Sequence, residues 1–361
     1  MKVSRVFAGR CERNIAVGVA AVALTYTTSA LALTNDQRIQ AAADTVANNQ
    51  ACTAISPFYW EIGDQNGPLT SSTGTHSYGT GGTAVFGYSS APDPDNDVLS
   101  IYSAGKLVFG AYVAQLKNGS LSSSDLEFMR MRSGYPGNGA NTNGNTFSSC
   151  GVLQTVNGCY HKQNNDDYDA NTLHKFNYGG GHFQAFAALP TSSGGLGLGS
   201  DYNGGLADEI NTVLGIGSDF SFANPGPAGG MKSTTHNYTD FLQAILGGQL
   251  VIKSLLGTNA VATTGTDAIY TPAVYTDSNG NQVELNYHYS IGHWVEDATN
   301  DPVGADDAFS SAGAAGFYPW IDHDKQYYGV VARQKLDSSS YIDSVICGKL
   351  IRKAWDSGTQ Q

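Results

Sequence analysis

Ser103 and Lys106 stand three residues apart at the head of the apolar run Leu107-Val-Phe-Gly-Ala-Tyr-Val113. On a helix, positions i and i+3 share a face with Cβ atoms roughly 5–6 Å apart, so the lysine amine reaches the serine hydroxyl. A hydroxyl in the first turn also lies near the positive end of the helix dipole, which favours an alkoxide. In a dry site the ammonium form is disfavoured, and the neutral amine is then a base. The two side chains together are a nucleophile with its activator. A serine at a helix start is also a common N-cap, and the spacing alone does not choose between the two readings. No other lysine in the chain has a serine three residues before it. A phosphate loop is excluded, because that motif needs glycine where Ser100 stands and Ser or Thr where Leu107 stands.

Positioning such a pair takes a helix held against a sheet. Ile39, Ala42, Ala43 and Val46 recur at helical spacing within 35–49, behind the caps Thr34 and Asp36. Ser56 to Gly63 and Thr83 to Tyr88 are aromatic and β-branched and read as strands. After the Ser103 helix, Lys117 to Leu126 is a turn running into a short helix capped by Ser124 or Asp125. Residues 133–169 are rich in Gly and Asn and read as an irregular rim to a site. Helical patterns return at Asp208–Leu214 and Tyr238–Leu256. Segments 282–287, 293–296, 315–322 and 326–333 read as strands, and Tyr341–Trp355 as an amphipathic helix. The predicted fold class is α/β in the α+β sense: an antiparallel sheet from about 50–90 and 282–335, flanked by terminal helices. A mainly helical lobe spanning about 103–280 is inserted into it.

With 361 residues, 41% hydrophobic, the chain can build a substantial core. Its 31 acidic against 19 basic residues give a net charge of -12, which argues against a nucleic-acid partner. Lys2, Arg5, Arg10 and Arg13 precede the apolar run Ile15–Leu24, and Ala30-Leu-Ala32 supplies small residues for cleavage. Residues 1–32 therefore read as a signal peptide with cleavage near Ala32, leaving 33–361 as a secreted or periplasmic domain. Thr25 to Ser29 interrupt the apolar run short of the ~20 residues that span a bilayer, so stable membrane insertion is not expected. Cys52, Cys150, Cys159 and Cys347 remain, an even number that suggests disulfides in an oxidising compartment. Cys150 with Cys159 would staple one loop, and Cys52 with Cys347 would tie the chain ends. No metal-ligand spacing accompanies them, and neither metal nor organic cofactor is expected.

The order of the later segments carries a resemblance. Phe176-Asn-Tyr178-Gly-Gly180 precedes the apolar stretch Gly181–Ala187, Gly229-Gly-Met-Lys-Ser-Thr234 leads to Phe241, and Gly292-His-Trp294 precedes Ser311-Ala-Gly313. With Ser103-x-x-Lys106, this series resembles the serine β-lactamase and penicillin-binding-protein superfamily. Within it, the chain is similar to the esterase-like branch related to class C β-lactamases and 6-aminohexanoate-oligomer hydrolases. The resemblance implies a β-lactamase-like fold and a serine hydrolase.

It also assigns residues. Tyr178 becomes the tyrosine sharing proton transfer with Lys106, its phenol kept partly ionised by that cation. A shifted frame would put Lys175 there and Asn177 at the asparagine position. In the preferred frame Gly180 replaces that asparagine, and Ser311 replaces the Lys or His of the third motif. The amides of Ser103 and Ala314 would form the oxyanion hole, with Gly313 permitting close approach. Loss of the third-motif cation favours neutral substrates, and the expected substrate is a small or oligomeric carboxylic ester or short linear amide. Turnover of β-lactams or D-peptides, and binding without catalysis on the same scaffold, are the alternatives. His182 and His293 read as core or rim residues with a pocket role as the rival. Tyr135, Tyr160, Tyr202 and Trp294 could form an aromatic cleft or simply pack.

Overall fold

The computed structural model describes Met1 and residues 33–70, 72, 76–81, 90–137, 150–151, 153–162 and 165–361. The expected leader 1–32 and the expected strand Thr83–Tyr88 lie outside the described residues.

The main sheet is antiparallel and nine-stranded, and it joins the two ends of the described chain. Its order runs Gly67–Pro68, Phe58–Asp64, Tyr328–Ala332, Tyr318–Ile321, Phe309–Ser310, Trp294–Val295, His288–Tyr289, Val261–Ala262, with Tyr78–Gly81 also paired to Phe58–Asp64. The central strands read as continuous apolar or aromatic runs because both faces are covered: Phe58 to Ile62 and Tyr328 to Ala332 are buried without alternation. The N-terminal helix Asn35–Asn48 and the C-terminal helix Ser340–Ser357 pack on each other, and the latter lies on strands 318–321 and 328–332. Thr34 starts the first helix with a full capping box through Gln37, and Gly358, in the left-handed region at φ 63°, ends the last.

Cys52, in the short helix Gln50–Thr53, is bonded to Cys347 of the C-terminal helix across a Cα–Cα distance of 4.9 Å. Cys150 and Cys159 form the second disulfide, with Cα atoms 5.3 Å apart. Both pairings match the sequence expectation.

Several expected elements shift. The single helix anticipated over 238–256 is two, Thr235–Leu246 and Ile252–Leu255, because Gly247 and Gly248 intervene and Gly248 takes φ 74°. Residues 282–284 pair with Val274–Thr276 in a separate hairpin and do not join the main sheet. Val261–Ala262, inside the expected lobe, does join it. The helix Ser123–Met129 is capped by Ser122, with Asp125 at the third helical position returning a bond to the cap. The capping box begins two or three residues before the expected cap, so neither Ser124 nor Asp125 is the cap itself.

The Lys106 helix, Gly105–Leu116, is buried on nearly all sides, from Gly105 through Ala114. It crosses the segment Tyr289–Trp294 at a point where only glycine fits. A Cβ on Gly110 would stand 2.5 Å from the Ile291 carbonyl oxygen, and one on Gly292, at φ 72°, would stand 2.3 Å from that of Lys106. Backbone atoms cannot swing aside as a side chain does. Gly110→Ala gains helix propensity but incurs this overpacking, so it is expected to destabilise by about 1–3 kcal/mol. Thermal unfolding checks this; an unchanged or raised melting temperature would contradict the close crossing.

Candidate active site

Ser103 lies in a single 3-10 turn, Tyr102–Ala104, that feeds directly into the Lys106 helix. The residue before it, Tyr102, holds φ 47°, a conformation that costs a non-glycine residue of order 1 kcal/mol and persists only where its surroundings fix it. Those surroundings are visible. Ile101 donates its amide to the Met231 carbonyl at 3.1 Å, and the Tyr238 hydroxyl donates to the Ala104 carbonyl at 2.8 Å. Ser311 donates its hydroxyl to the Ser103 carbonyl at 2.8 Å. The Ser103 turn is thus pinned from three separate segments.

Lys106 is 4% exposed. Its Nζ is 2.8 Å from Ser103 Oγ and 2.7 Å from the Ala228 carbonyl, and it lies 4.7 Å from the centre of the Tyr178 ring. No carboxylate pairs with it among the described residues, so burial acts unopposed and lowers its pKa to about 7. Near neutral pH a large share of Lys106 is therefore free amine beside a hydroxyl. Tyr178 moves the other way: burial pushes its phenol well above the ordinary tyrosine value, and its interaction with Ser103 only partly offsets this. The expected partly ionised phenol is not found, because burial disfavours a tyrosinate and the neighbouring lysine carries too little charge to rescue one. Tyr178 is a neutral phenol stacked on Trp294, ring centres 5.3 Å apart.

Ser103, Lys106, Tyr178, Gly180 and Ala314 open onto one cavity of about 1000 Å³. Tyr178 lines the cavity, whereas Lys175 is exposed and outside it. Two expected contacts are absent. Ser311 is 2% exposed with its hydroxyl turned to the Ser103 carbonyl, so it supports the Ser103 turn and does not line the cavity. Gly313 is also behind the wall: its amide bonds the Phe317 carbonyl at 2.8 Å, and a Cβ there would stand 2.2 Å from the Ile101 carbonyl oxygen. The amides of Ser103 and Ala314 make no hydrogen bond among the described residues, and Ala314 is exposed at the cavity.

Of the other residues singled out, Trp294 lines the cavity, while Tyr135, Tyr160 and Tyr202 do not. Tyr135 packs against Phe128, Tyr160 and Tyr168, and Tyr202 is surface. His182 is fully buried between Ser133 and the Asn177 carbonyl, and His293 between the Gly257 amide and the Ile291 carbonyl. Burial lowers both, to about 3 and about 4, so they are neutral structural groups.

Some contributors were not foreseen. The Ala228 carbonyl, in the Gly-Gly segment read only as structural, holds Lys106; a backbone acceptor leaves no side-chain signature. Glu296 lines the cavity while fixed from behind by Arg352 at 2.6 Å, Ser310 at 2.5 Å and Tyr318 at 2.8 Å. Tyr341 of the C-terminal helix donates to the Pro272 carbonyl and so straps the hairpin 274–284 to the body as the far wall.

Comparison with solved structures places this geometry. The chain is similar to the D-amino acid amidase from Ochrobactrum anthropi SV3 complexed with D-phenylalanine, at 11% identity, TM-score 0.59, covering 88% of this chain and 99% of that one. A Bacteroides dorei DSM 17855 chain described as a β-lactamase aligns at 17% identity, TM-score 0.52, covering 82% and 93%. The D-stereospecific amidohydrolase from Streptomyces aligns at 13%, TM-score 0.51, covering 88% and 99%. The fold is β-lactamase-like. No family model matches the chain, and no curated protein matches it. The β-lactamase-like fold accounts for the terminal helices on one sheet and the inserted lobe; the site chemistry rests on this chain's own residues.

The buried amine is directly measurable. With lysines labelled at Cε, the Lys106 resonance should titrate with a midpoint near pH 7, the neutral amine forming above it; a midpoint near the ordinary lysine value would contradict its desolvation.

Proposed function

We propose that the protein is a serine hydrolase acting by acyl transfer on neutral carboxylic esters or short linear amides. The single observation that carries this reading is the desolvated Lys106 amine 2.8 Å from Ser103 Oγ. Neutral Lys106 takes the Ser103 proton as Oγ bonds the substrate carbonyl carbon. The amides of Ser103 and Ala314 receive the resulting oxyanion, an arrangement in which one donor is typically worth about 3 kcal/mol. Collapse breaks the bond to the alkoxide or amine, which leaves with the proton returned by the Lys106 ammonium, directly or through the Tyr178 hydroxyl. Water then attacks the acyl-enzyme with Lys106 again as base, freeing the acid and regenerating Ser103.

Preference for neutral substrates rests on the cavity wall. Lys106 is the one basic residue among the described lining residues, whereas Glu284 and Glu296 both line it. A β-lactam or peptide C-terminus would bring a carboxylate to a wall with no ammonium or guanidinium to receive it, which weighs against the β-lactamase and D-peptidase readings. Tyr102, Tyr178, Tyr270, Tyr287, Trp294 and Tyr341 give the cavity aromatic surface for the acyl or leaving group. Two of the similar structures are described as an amidase and an amidohydrolase, which fits linear amides as well as esters. The two disulfides fit an oxidising compartment, and we propose export with residues 1–32 as the leader.

A fluorophosphonate probe should label the wild type at Ser103 and leave Ser103→Ala unlabelled. Hydrolysis of p-nitrophenyl esters should rise with pH through about 7 as Lys106 loses its proton. Tyr178→Phe should lower kcat by about 10²-fold or more with a smaller change in KM. Labelling that persists in Ser103→Ala, or binding of esters without turnover, would count against the hydrolase reading.

A further inference from the structure

A second cavity, of about 520 Å³, is lined in part by Leu99 and Ser100, which precede the Ser103 turn, and shares no lining residue with the first. Its lining includes Arg333, Lys232 and Lys335, with Asp97 as the one carboxylate. This local excess of positive charge stands out in a chain whose net charge is -12. The three basic residues come together through the backbone: Lys232 pairs with Ser100 across two antiparallel strands, and the Ser100 amide donates to Gln334 Oε1 at 3.1 Å, which sets Arg333 and Lys335 beside them.

Arg333 is the unusual member. It is 4% exposed, yet no carboxylate lies within ion-pair distance of it among the described residues. Its Nη1 makes two long bonds, 3.4 Å to the Ser340 carbonyl and 3.3 Å to Ser344 Oγ. Its Nε and Nη2 donate to nothing among the described residues. The nearby carboxylates are engaged elsewhere: Asp337 accepts from Lys335 at 2.9 Å and Ser340 at 2.7 Å, and Asp343 accepts from Ser339 at 2.8 Å. Asp97 holds the Asp93 amide at 2.8 Å. A guanidinium is charged at any physiological pH, and Nε and Nη2 are not among the fully buried unpaired atoms, so they stay within reach of solvent and of a ligand. Nε and Nη2 form the side of the guanidinium fork that matches two oxygens of a carboxylate or phosphate.

We propose that this cavity is a second ligand site, separate from the Ser103 cavity, that takes a small oxyanion through Arg333 with Lys232 at its side. The shared chemistry is a carboxylate or phosphate group, gripped by the guanidinium fork and neutralised by the Lys232 ammonium, which makes no ion pair among the described residues. The Lys335 ammonium, already paired with Asp337, contributes long-range charge.

Calorimetric titration of the purified protein with inorganic phosphate, and separately with acetate, at constant ionic strength maintained by chloride, tests this. Saturable binding of either supports the site, and which anion binds assigns the class. Arg333→Gln and Lys232→Met should each weaken binding about tenfold or more, the loss of one charge-assisted contact, while Ser103→Ala should leave it unchanged. Lys232 is only half-buried, so Lys232→Met serves if Arg333→Gln fails to fold. No saturable binding of either anion, binding that survives Lys232→Met, or binding lost in Ser103→Ala would overturn the proposal.

Discussion

A lysine side chain removed from water, with no carboxylate to meet it among the described residues, is the constraint around which this molecule is built. Lys106 has a serine hydroxyl and a backbone carbonyl as its hydrogen-bond partners, and these satisfy an amine far better than a full charge. The consequence is an amine whose pKa burial alone lowers to about 7. The same burial holds the Tyr178 phenol neutral. Burial thus acts on both groups, lowering the pKa of the amine and raising that of the phenol.

Keeping these groups dry requires backbones to approach more closely than side chains allow. Gly110 and Gly292 let the Lys106 helix lie against the Tyr289–Trp294 segment, and Gly313 lets the third-motif loop touch the Ile101 carbonyl. The strained Tyr102 turn is held between these contacts. Behind the opposite wall, Glu296, Arg352 and Lys349 form a buried ionic cluster with Asp301 and Asp306. Such a cluster is poor evidence of net stability, but removing one member strands the others, so it fixes the C-terminal helix against the strands that carry the site.

Much of this was legible in the chain. The Ser-x-x-Lys spacing, the apolar run after it, the terminal helices and the aromatic strand Phe58–Asp64 are local patterns, and each formed close to where its periodicity placed it. The disulfides followed from four cysteines that could be paired at two very different ranges. The misreadings share a cause. Ser311 was assigned by motif order to the cavity, yet its hydroxyl turns inward to the Ser103 carbonyl, and side-chain direction is set by packing. Tyr178 lines the cavity, but burial raises its pKa where the resemblance implies a partly ionised phenol, because position does not reveal solvation.

The sequence by itself determined the Ser103–Lys106 spacing and the ordered segments that could surround the pair, because helical spacing and binary patterning act over a few residues. Tertiary structure alone decided how these groups behave. It buried Lys106, supplied the Ala228 carbonyl from 122 residues away, and set Tyr178 in the cavity wall with Lys175 exposed outside it. It also emptied the cavity wall of cations other than Lys106 among the described residues. Desolvation and backbone approach are properties of three-dimensional neighbours, and those neighbours are distant in the chain.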